Sequence, residues 1–183
     1  MSEIKIDRTL YTERPADGNR LPKEMAVYDL MEKLEIPYVR VDHEPVMTIE
    51  ACQEVDRLLE CPLCKNLFLC NRQKTDFYLL LLPGEKPFKT KDLSKQIGSA
   101  RLSFADAEHM EEFLNITPGS VSVMGLMNDT WGRVRLLIDK EVLEGEEIAF
   151  HPCINTSSMK IKTRDLVEKI LPCVKHEYQV VEL

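Results

Sequence analysis

The chain has 183 residues, of which 44% are hydrophobic and 30% are charged, and its formal net charge is −7. This length suits one domain, and the composition excludes a disordered chain, a collagen-like repeat and a coiled coil. The acidic balance argues against indiscriminate affinity for nucleic acid, including DNA. The longest apolar run, residues 77–83, is far shorter than the roughly 20 residues of a membrane span. Charged residues interrupt the first 13 positions, unlike a secretory signal, so we expect a cytoplasmic protein with no membrane partner.

The first third of the chain is predicted to contain two helices around one strand. Apolar residues recur at helical spacing between two prolines and predict a helix over residues 22–35. Residues 38–42 alternate in the manner of a strand. A second helix is predicted over residues 48–59, with Thr48 as its N-cap.

A β-hairpin is predicted next, because the apolar runs 67–70 and 77–82 flank a polar stretch. The second run contains only aromatic residues and leucines, so we expect that strand to be buried on both faces. A short helix is predicted over residues 90–97, since Gly98 follows it as a stop signal.

The second half of the chain is predicted to add strands and further helices. Residues 103–106 are expected to cap a helix that ends near Leu114. Residues 120–126 and 134–138 are expected to pair as strands across a turn.

The remaining elements complete an α/β pattern. Strands are predicted at residues 147–150 and 178–181, and between them Thr163 is expected to cap a helix. Helices and strands interleave, but hairpins occur beside crossovers. The fold class predicted for the whole chain is therefore α/β (α+β), a single domain around a mixed sheet.

The cysteines are expected to be reduced thiols, because the chain shows no export signal. They stand at positions 52, 61, 64, 70, 153 and 173. Cys61 and Cys64 form a CxxC motif, but zinc would need two more ligands at suitable spacing. A redox motif is expected to open a helix, whereas an apolar strand follows here. We therefore expect buried or half-buried thiols, with no metal and no cofactor.

Several polar positions are candidates for chemistry, although no known nucleophile motif is present. The segment 119–123 lacks the final glycine of a serine-hydrolase elbow. It does offer backbone amides and two hydroxyls that suit a carbonyl or ribose oxygen, although most such segments are only turns. Lys65, His151 and Asn155 interrupt apolar sequence. The ammonium of a lysine that opens a core strand must reach water, an anion or a pocket. The alternative to a functional Lys65 is a lysine that extends to the surface, and the alternative to a functional His151 is a structural histidine.

The charge of the chain is unevenly distributed. Between residues 60 and 101 there are eight basic and four acidic residues, a local net charge of +4. This segment could receive a polyanion, while a solvated lysine-rich surface is the alternative for most individual lysines.

Four sequence blocks together resemble one protein family. They are CKNLFL at 64–69, TPGSVS at 117–122, GLMND at 125–129 and FHPCINT at 150–156. Their order and spacing resemble the YbaK and prolyl-tRNA-synthetase insertion-domain group of trans-editing deacylases over about residues 22–182. The branch that resembles this chain most is the free-standing ProX or PrdX type, and residues 1–21 would be an N-terminal extension.

The resemblance implies both an activity and a site. The activity is hydrolysis of the ester that joins a wrong amino acid to tRNA, on a mixed, curved sheet flanked by helices. Lys65 corresponds to the family's essential lysine, and His151 and Asn155 to a second pocket block. The substrate-binding loop corresponds to Gly119, Ser120, Val121 and Ser122, followed by Val123, where relatives usually have proline. The candidate rail for the tRNA acceptor stem consists of Lys86, Lys89, Lys91, Lys95 and Arg101.

The resemblance leaves the substrate open. The leading hypothesis is Ala-tRNA(Pro), and Cys-tRNA(Pro) is the alternative within the same chemistry. A non-catalytic module that binds aminoacyl-tRNA or a free amino acid is the alternative from another class. The expected partner is the acceptor end of mischarged tRNA, with prolyl-tRNA synthetase as a further candidate.

Overall fold

Four of the first five helices lie close to where the sequence predicts them, and the short fifth one has no predicted counterpart. The described residues of the computed structural model are 4–16, 18–46 and 49–183. The helices are α1 (Pro22–Lys33), α2 (Ile49–Leu59), α3 (Thr90–Ile97), α4 (Ala107–Leu114) and α5 (Lys140–Glu144). Gly98 ends α3 in the left-handed conformation, and Asp106 caps α4 by accepting a hydrogen bond from the His109 N–H. The predicted cap Thr48 lies outside the described residues.

The strands form two sheets. They are β1 (Val39–Asp42), β2 (Lys65–Asn71), β3 (Phe77–Leu82), β4 (Leu102–Phe104), β5 (Val134–Asp139), β6 (Glu147–Phe150), β7 (Ser157–Lys162) and β8 (Tyr178–Val181). The smaller sheet has the order β1-β7-β6, and the larger has the order β4-β2-β3-β5-β8. Pairing of β3 with β5 and of β5 with β8 is parallel, while the other pairs are antiparallel. A bridge from Leu63 to Ala149 connects the two sheets.

Strand β3 lies in the middle of the larger sheet and is buried on both faces, as predicted. Phe77, Leu79 and Leu81 face the main core, which α1, α4 and the C-terminal helix cover. The alternate residues, among them Leu80 and Leu82, face a smaller cluster that includes Leu93 of α3. Full burial of a leucine stabilises a fold by about 1.5 to 3 kcal/mol, so this strand makes a large contribution to the stability of the domain.

The predicted strand over residues 120–126 is wrong. This segment is an extended loop that leads into a 3₁₀ helix, Val123–Asn128, and β5 pairs with β3 and β8 instead. Ser122 starts the helix by accepting a hydrogen bond from the Met124 N–H. Gly125 lies so close to Ile116 that an added Cβ would be 2.5 Å from its Cδ1. A short apolar run does not distinguish a strand from a buried helical turn.

The C-terminal helix differs from its prediction in one detail. It consists of an α-helical start (Thr163–Asp165), a π-helical turn (Leu166–Ile170) and an α-helical end (Leu171–Cys173). Lys162 is the N-cap, so the predicted cap at Thr163 is wrong. The Thr163 hydroxyl has no hydrogen-bond partner among the described residues. Pro172 has no N–H to donate, and its ring crowds the preceding turn of the helix. The wider π turn at this point leaves room for the ring.

The N-terminal segment packs along the free edge of β1. The Asp7 N–H donates to the Asp42 carbonyl, and Tyr11 exchanges two backbone hydrogen bonds with Arg40. The Arg40 guanidinium lies 4.4 Å from the centre of the Tyr11 ring.

Within the described part of the chain, no helix combines the length and the apolar character that crossing a bilayer requires.

Candidate active site

The loop that the sequence singles out begins with a tight turn. The Ser120 N–H donates to the Thr117 carbonyl at 3.1 Å. Pro118 and Gly119 are the central residues of this turn, and Gly119 has a φ of 89°. That combination corresponds to a type II turn, in which the third position needs the positive φ that glycine adopts most easily.

The far end of the loop is fixed to strand β2. The Val123 N–H donates to Asn66 Oδ1 at 2.9 Å, while the Asn66 amide nitrogen donates to the Cys64 carbonyl at 3.2 Å. The side chains of Ser120 and Ser122 are buried. The loop is therefore held at both ends, and its middle is constrained by packing.

Several backbone donors in this loop, among them those of Gly119 and Val121, are unpaired in the described parts of the chain. The amide of Asn155 is also without a partner there, and its nitrogen lies 3.8 Å from the position that a Cβ on Gly119 would occupy. The structure thus brings the two predicted pocket blocks together and leaves polar groups free to bind a ligand.

Lys65 lies beside this loop along the strand but reaches a different partner. It is half-buried, and its ammonium donates to the Lys86 carbonyl at 2.6 Å. Asn66 is paired with Leu81 and Lys65 with Leu82, whose side chains leave opposite faces of the sheet. Asn66, rather than Lys65, therefore makes the direct contact with the loop. Among the described residues, Lys65 has no carboxylate partner.

His151 lies in a short hydrogen-bonded chain. Its Nδ1 is 2.9 Å from the Ser157 carbonyl and 3.2 Å from the Ser158 hydroxyl. The Ser158 hydroxyl is also 2.8 Å from Nε2 of His43. Burial lowers the pKa of both His151 and His43, which favours neutral rings at pH 7.

Burial favours the protonated thiol at Cys61, Cys64 and Cys153. Burial raises the pKa of Cys61 to about 11 and that of Cys64 to about 12. The pKa of Cys153 is also raised to about 12 by burial, an effect that Lys23 and the Ser122 hydroxyl slightly oppose. Thiolates are the species that attack carbonyls and bind metals. Among the described residues, no cluster of three or more His, Cys, Asp or Glu side chains could hold a metal ion.

The five residues of the candidate rail divide into one internal lysine and four exposed cations. Lys86 donates to the fully buried Asp139 at 3.1 Å and to Glu141 at 2.9 Å. These carboxylates neutralise its charge, so Lys86 is not the solvent-directed cation that we expected. The exposed cations are Lys89, Lys91, Lys95 and Arg101. Lys91 and Arg101 line one cleft of about 450 Å³.

The most voluminous of the described clefts lies elsewhere. It measures about 670 Å³ and is lined by the C-terminal helix and the start of β8, including Leu171, His176 and Tyr178. None of the predicted site residues lines it. The chemistry of the loop groups, and not cleft volume, identifies the candidate site.

Sequence reasoning missed three residues of this site: Asn66, His43 and Ser158. Asn66 is a polar residue next to Lys65 within an apolar strand, which was an available signal. His43 directly follows β1, but its contact with Ser158 spans 115 positions of the chain. No local pattern reports a contact between residues so far apart, and it becomes visible only when β1 pairs with β7.

Comparison with known proteins gives a consistent set of relatives. Residues 43–169 match the family described as aminoacyl-tRNA editing domain. The prolyl-tRNA editing protein ProX of Acetoanaerobium sticklandii is 31% identical over 160 residues, which cover 87% of this chain and 97% of that protein. Prolyl-tRNA synthetase associated domain-containing protein 1 of Mus musculus is 33% identical over 131 residues, which cover 69% of this chain and 77% of the relative.

A solved structure shares the fold at lower identity. It is described as a candidate trans-editing enzyme for prolyl-tRNA synthetase and aligns with a TM-score of 0.64 at 14% identity, over 90% of this chain and 99% of that one. This likeness confirms the predicted fold class, a mixed α/β domain, with the difference that the strands divide into two sheets.

Proposed function

Because this chain belongs to the family of aminoacyl-tRNA editing domains, we propose that it hydrolyses, in trans, the aminoacyl ester of mischarged tRNA(Pro). The resemblance that the sequence blocks indicate is thereby confirmed. The observation that carries the proposed site is the loop at residues 117–123, where the N–H groups of Gly119 and Val121 and the nearby side-chain amide of Asn155 have no partner in the described ranges of the chain.

The reaction does not require a nucleophilic side chain, because an aminoacyl ester is already activated. A site that positions one water molecule and stabilises the developing oxyanion can accelerate its hydrolysis through orientation and fixed dipoles. The free N–H groups of Gly119 and Val121 would face the carbonyl oxygen. Lys65, which has no carboxylate partner among the described residues, would bind the terminal phosphate and ribose, because its side chain leaves the face of β2 opposite to the one that Asn66 presents to the loop. His151 would position the same end of the substrate.

We propose that selectivity depends on size, with Ala-tRNA(Pro) as the substrate. One methylene in an apolar pocket discriminates by only about 1 to 3 kcal/mol, so attraction alone would separate alanine from proline poorly. Steric exclusion of the pyrrolidine ring must provide most of the selectivity. Ser120, Ser122 and Val123 line the buried side of the loop and would set this limit.

A panel of tRNA(Pro) esters tests both the activity and its substrate. Single-turnover deacylation would be measured with alanyl, cysteinyl, seryl and prolyl esters, against spontaneous hydrolysis in buffer. We expect the alanyl ester to be cleared fastest and the prolyl ester to stay at the buffer rate. Fastest clearance of the cysteinyl ester would instead assign a Cys-tRNA(Pro) deacylase. Binding of tRNA with every ester left intact would identify a non-catalytic binding module.

The acceptor stem would follow the exposed cations Lys89, Lys91, Lys95 and Arg101, which lie on α3 and on both sides of it, through contacts with phosphates that carry no sequence information. We expect the double variant Lys91→Ala/Lys95→Ala to bind tRNA more weakly and to reduce the slope of log K against log salt by about 2, since each lost phosphate contact removes about 1. Filter binding over a salt series measures this slope. The control is Lys169→Ala, which should keep the wild-type slope. Lys169 lies on the C-terminal helix and pairs with Asp165. An unchanged slope in the double variant would refute the proposed rail.

A role in proofreading implies a location and a partner. The substrate is produced by prolyl-tRNA synthetase, so the protein would act in the cytoplasm, where that tRNA is charged. An association with the synthetase would supply tRNA recognition beyond the few phosphate contacts proposed above.

A further inference from the structure

A chain of three side chains leads from β1 to the candidate site. His43 Nδ1 is 2.8 Å from the Glu44 carbonyl, and His43 Nε2 is 2.8 Å from the Ser158 hydroxyl. The Ser158 hydroxyl in turn is 3.2 Å from Nδ1 of His151. Ser158 and His43 are buried, whereas His151 is half-buried.

The partners fix where each hydrogen lies. A carbonyl can only accept, so Nδ1 of His43 carries a proton toward Glu44, and Nδ1 of His151 carries one toward Ser157. Burial lowers the pKa of both rings and favours their neutral forms, in which Nε2 of His43 is an acceptor and takes the Ser158 proton. The Ser158 oxygen can then share the His151 Nδ1 proton with the nearer Ser157 carbonyl, at 3.2 Å against 2.9 Å.

This chain is firmly attached to the fold. Ser158 on β7 pairs with Val41 on β1, two residues before His43. The N-terminal segment covers His43, because Ile6 forms a backbone bridge with it and the Glu44 N–H donates to the Lys5 carbonyl at 2.9 Å. Neither His43 nor Ser158 has freedom to choose another partner without moving a strand.

The chain has one open end, at Nε2 of His151. In the described parts of the protein, this nitrogen has no hydrogen-bond partner. A neutral ring that is protonated on Nδ1 presents a lone pair there. His151 precedes Asn155 in the block that adjoins the Gly119 turn, so an N–H or O–H donor of a bound aminoacyl terminus is the kind of group that this acceptor would receive.

We propose that His43, acting through Ser158, is a positioning residue that keeps His151 in the tautomer whose Nε2 accepts a hydrogen bond from the substrate. Without His43, the Ser158 hydroxyl is free to turn and to compete with the Ser157 carbonyl by donating to His151 Nδ1. In the molecules where it does so, the His151 proton moves to Nε2 and a donor replaces the acceptor. The substrate in this inference rests on the proposed editing function, but the tautomer does not.

The test combines a spectroscopic measurement with a double variant. Nitrogen-15 NMR of the imidazole rings reports the tautomer, and the chain has only 4 histidines to assign. We expect wild-type His151 to be protonated on Nδ1 and the His43→Phe variant to show the Nε2-protonated form. Its kcat/KM for the alanyl ester should fall about tenfold, the cost of roughly one hydrogen bond.

The additional substitution Ser158→Ala should reverse the defect in part. The double variant has lost the hydroxyl that competes for Nδ1, so the Nδ1-protonated tautomer should return and kcat/KM should rise above that of His43→Phe. A purely structural role predicts the opposite, since two buried losses would add. His43→Gln, which keeps an acceptor, should resemble the wild type, and His109→Phe is the control for replacing a ring elsewhere.

Three results would overturn the inference. They are a wild-type His151 protonated on Nε2, a His43→Phe variant in which His151 stays protonated on Nδ1 as in the wild type, and a double variant that recovers neither the Nδ1-protonated form nor the rate. His43→Leu replaces His43→Phe should the larger ring prevent folding.

Two modified substrates identify the group that donates to His151. One ends in 2′-deoxyadenosine and lacks the ribose hydroxyl, and the other carries N-acetylated alanine and lacks the free amino group. The rate with the substrate that lacks the donor should not change further in His43→Phe. A protein that deacylates nothing but shows the expected tautomers would refute the proposed function and keep the inference.

Discussion

The Lys65→Ala variant is expected to lose about a hundredfold or more in the rate of deacylation while it keeps its fold. Loss of one preorganised group that stabilises developing charge typically has an effect of this size. Lys65 is half-buried, and its only partner in the described residues is the Lys86 carbonyl. A cation without a counter-ion is free to bind an anion or a polarised ester of the substrate. Single-turnover deacylation of the alanyl ester measures the loss.

The stability of the same variant distinguishes a functional role from a structural one. Removal of one hydrogen bond costs about 1 kcal/mol, which lowers the melting temperature by about 2 to 4 °C in a chain of this size. Lys160→Ala is the matched control, because Lys160 is also half-buried but pairs with Glu147 at 3.4 Å. Lys160→Ala should retain deacylation, and wild-type rates in Lys65→Ala would refute the role assigned to Lys65.

The Gly119→Ala variant is expected to lose at least about tenfold in kcat/KM. Its φ of 89° is unfavourable for any residue with a Cβ, and strain at such positions costs of order 1 to 3 kcal/mol. The new methyl group would point toward the Asn155 amide nitrogen, 3.8 Å away, into the space proposed for the acyl group. Relief of the strain would also turn the Gly119 N–H away from the ester carbonyl. Deacylation kinetics and thermal melting of the same preparation measure both effects.

Gly132→Ala separates backbone strain from the effect on the site. Gly132 also has a positive φ, of 65°, and nothing lies within 4 Å of an added Cβ. This control should show a comparable loss of stability with unchanged deacylation. Equal kinetic losses in the two variants would show that Gly119 acts only through stability.

Strong local signals made most of the fold predictable. The hairpin of β2 and β3 follows from two apolar runs, and α3 and α4 follow from their caps at Gly98 and Asp106. The segment 120–126 was mispredicted because its apolar residues pack against α4 and the residues after it, as a 3₁₀ helix does. Strand β7 was missed because four of its six residues are serines and lysines, which are not typical of a strand, although Ser157 and Ser158 are buried between β1 and β6.

The candidate site was predictable in its parts but not in its connections. The motif blocks identify Gly119, His151 and Asn155, and the structure places Gly119 against Asn155. The sequence alone does not show that Lys65 and Asn66 leave opposite faces of β2, or that Lys86 is neutralised by Asp139. Such relations depend on strand register and on contacts between distant segments, which no local pattern encodes.

The hydrogen bond from Val123 to Asn66 bears on how specificity can be inferred across the family. The resemblance leads us to expect proline at this position in relatives, where the ring would stiffen the backbone. Here an N–H that proline lacks ties the same point to a neighbouring strand. Proline at position 123 would remove this donor and leave Asn66 Oδ1 without the hydrogen bond that holds the loop to β2, so the effect of that substitution on specificity is to be interpreted together with the residue at position 66.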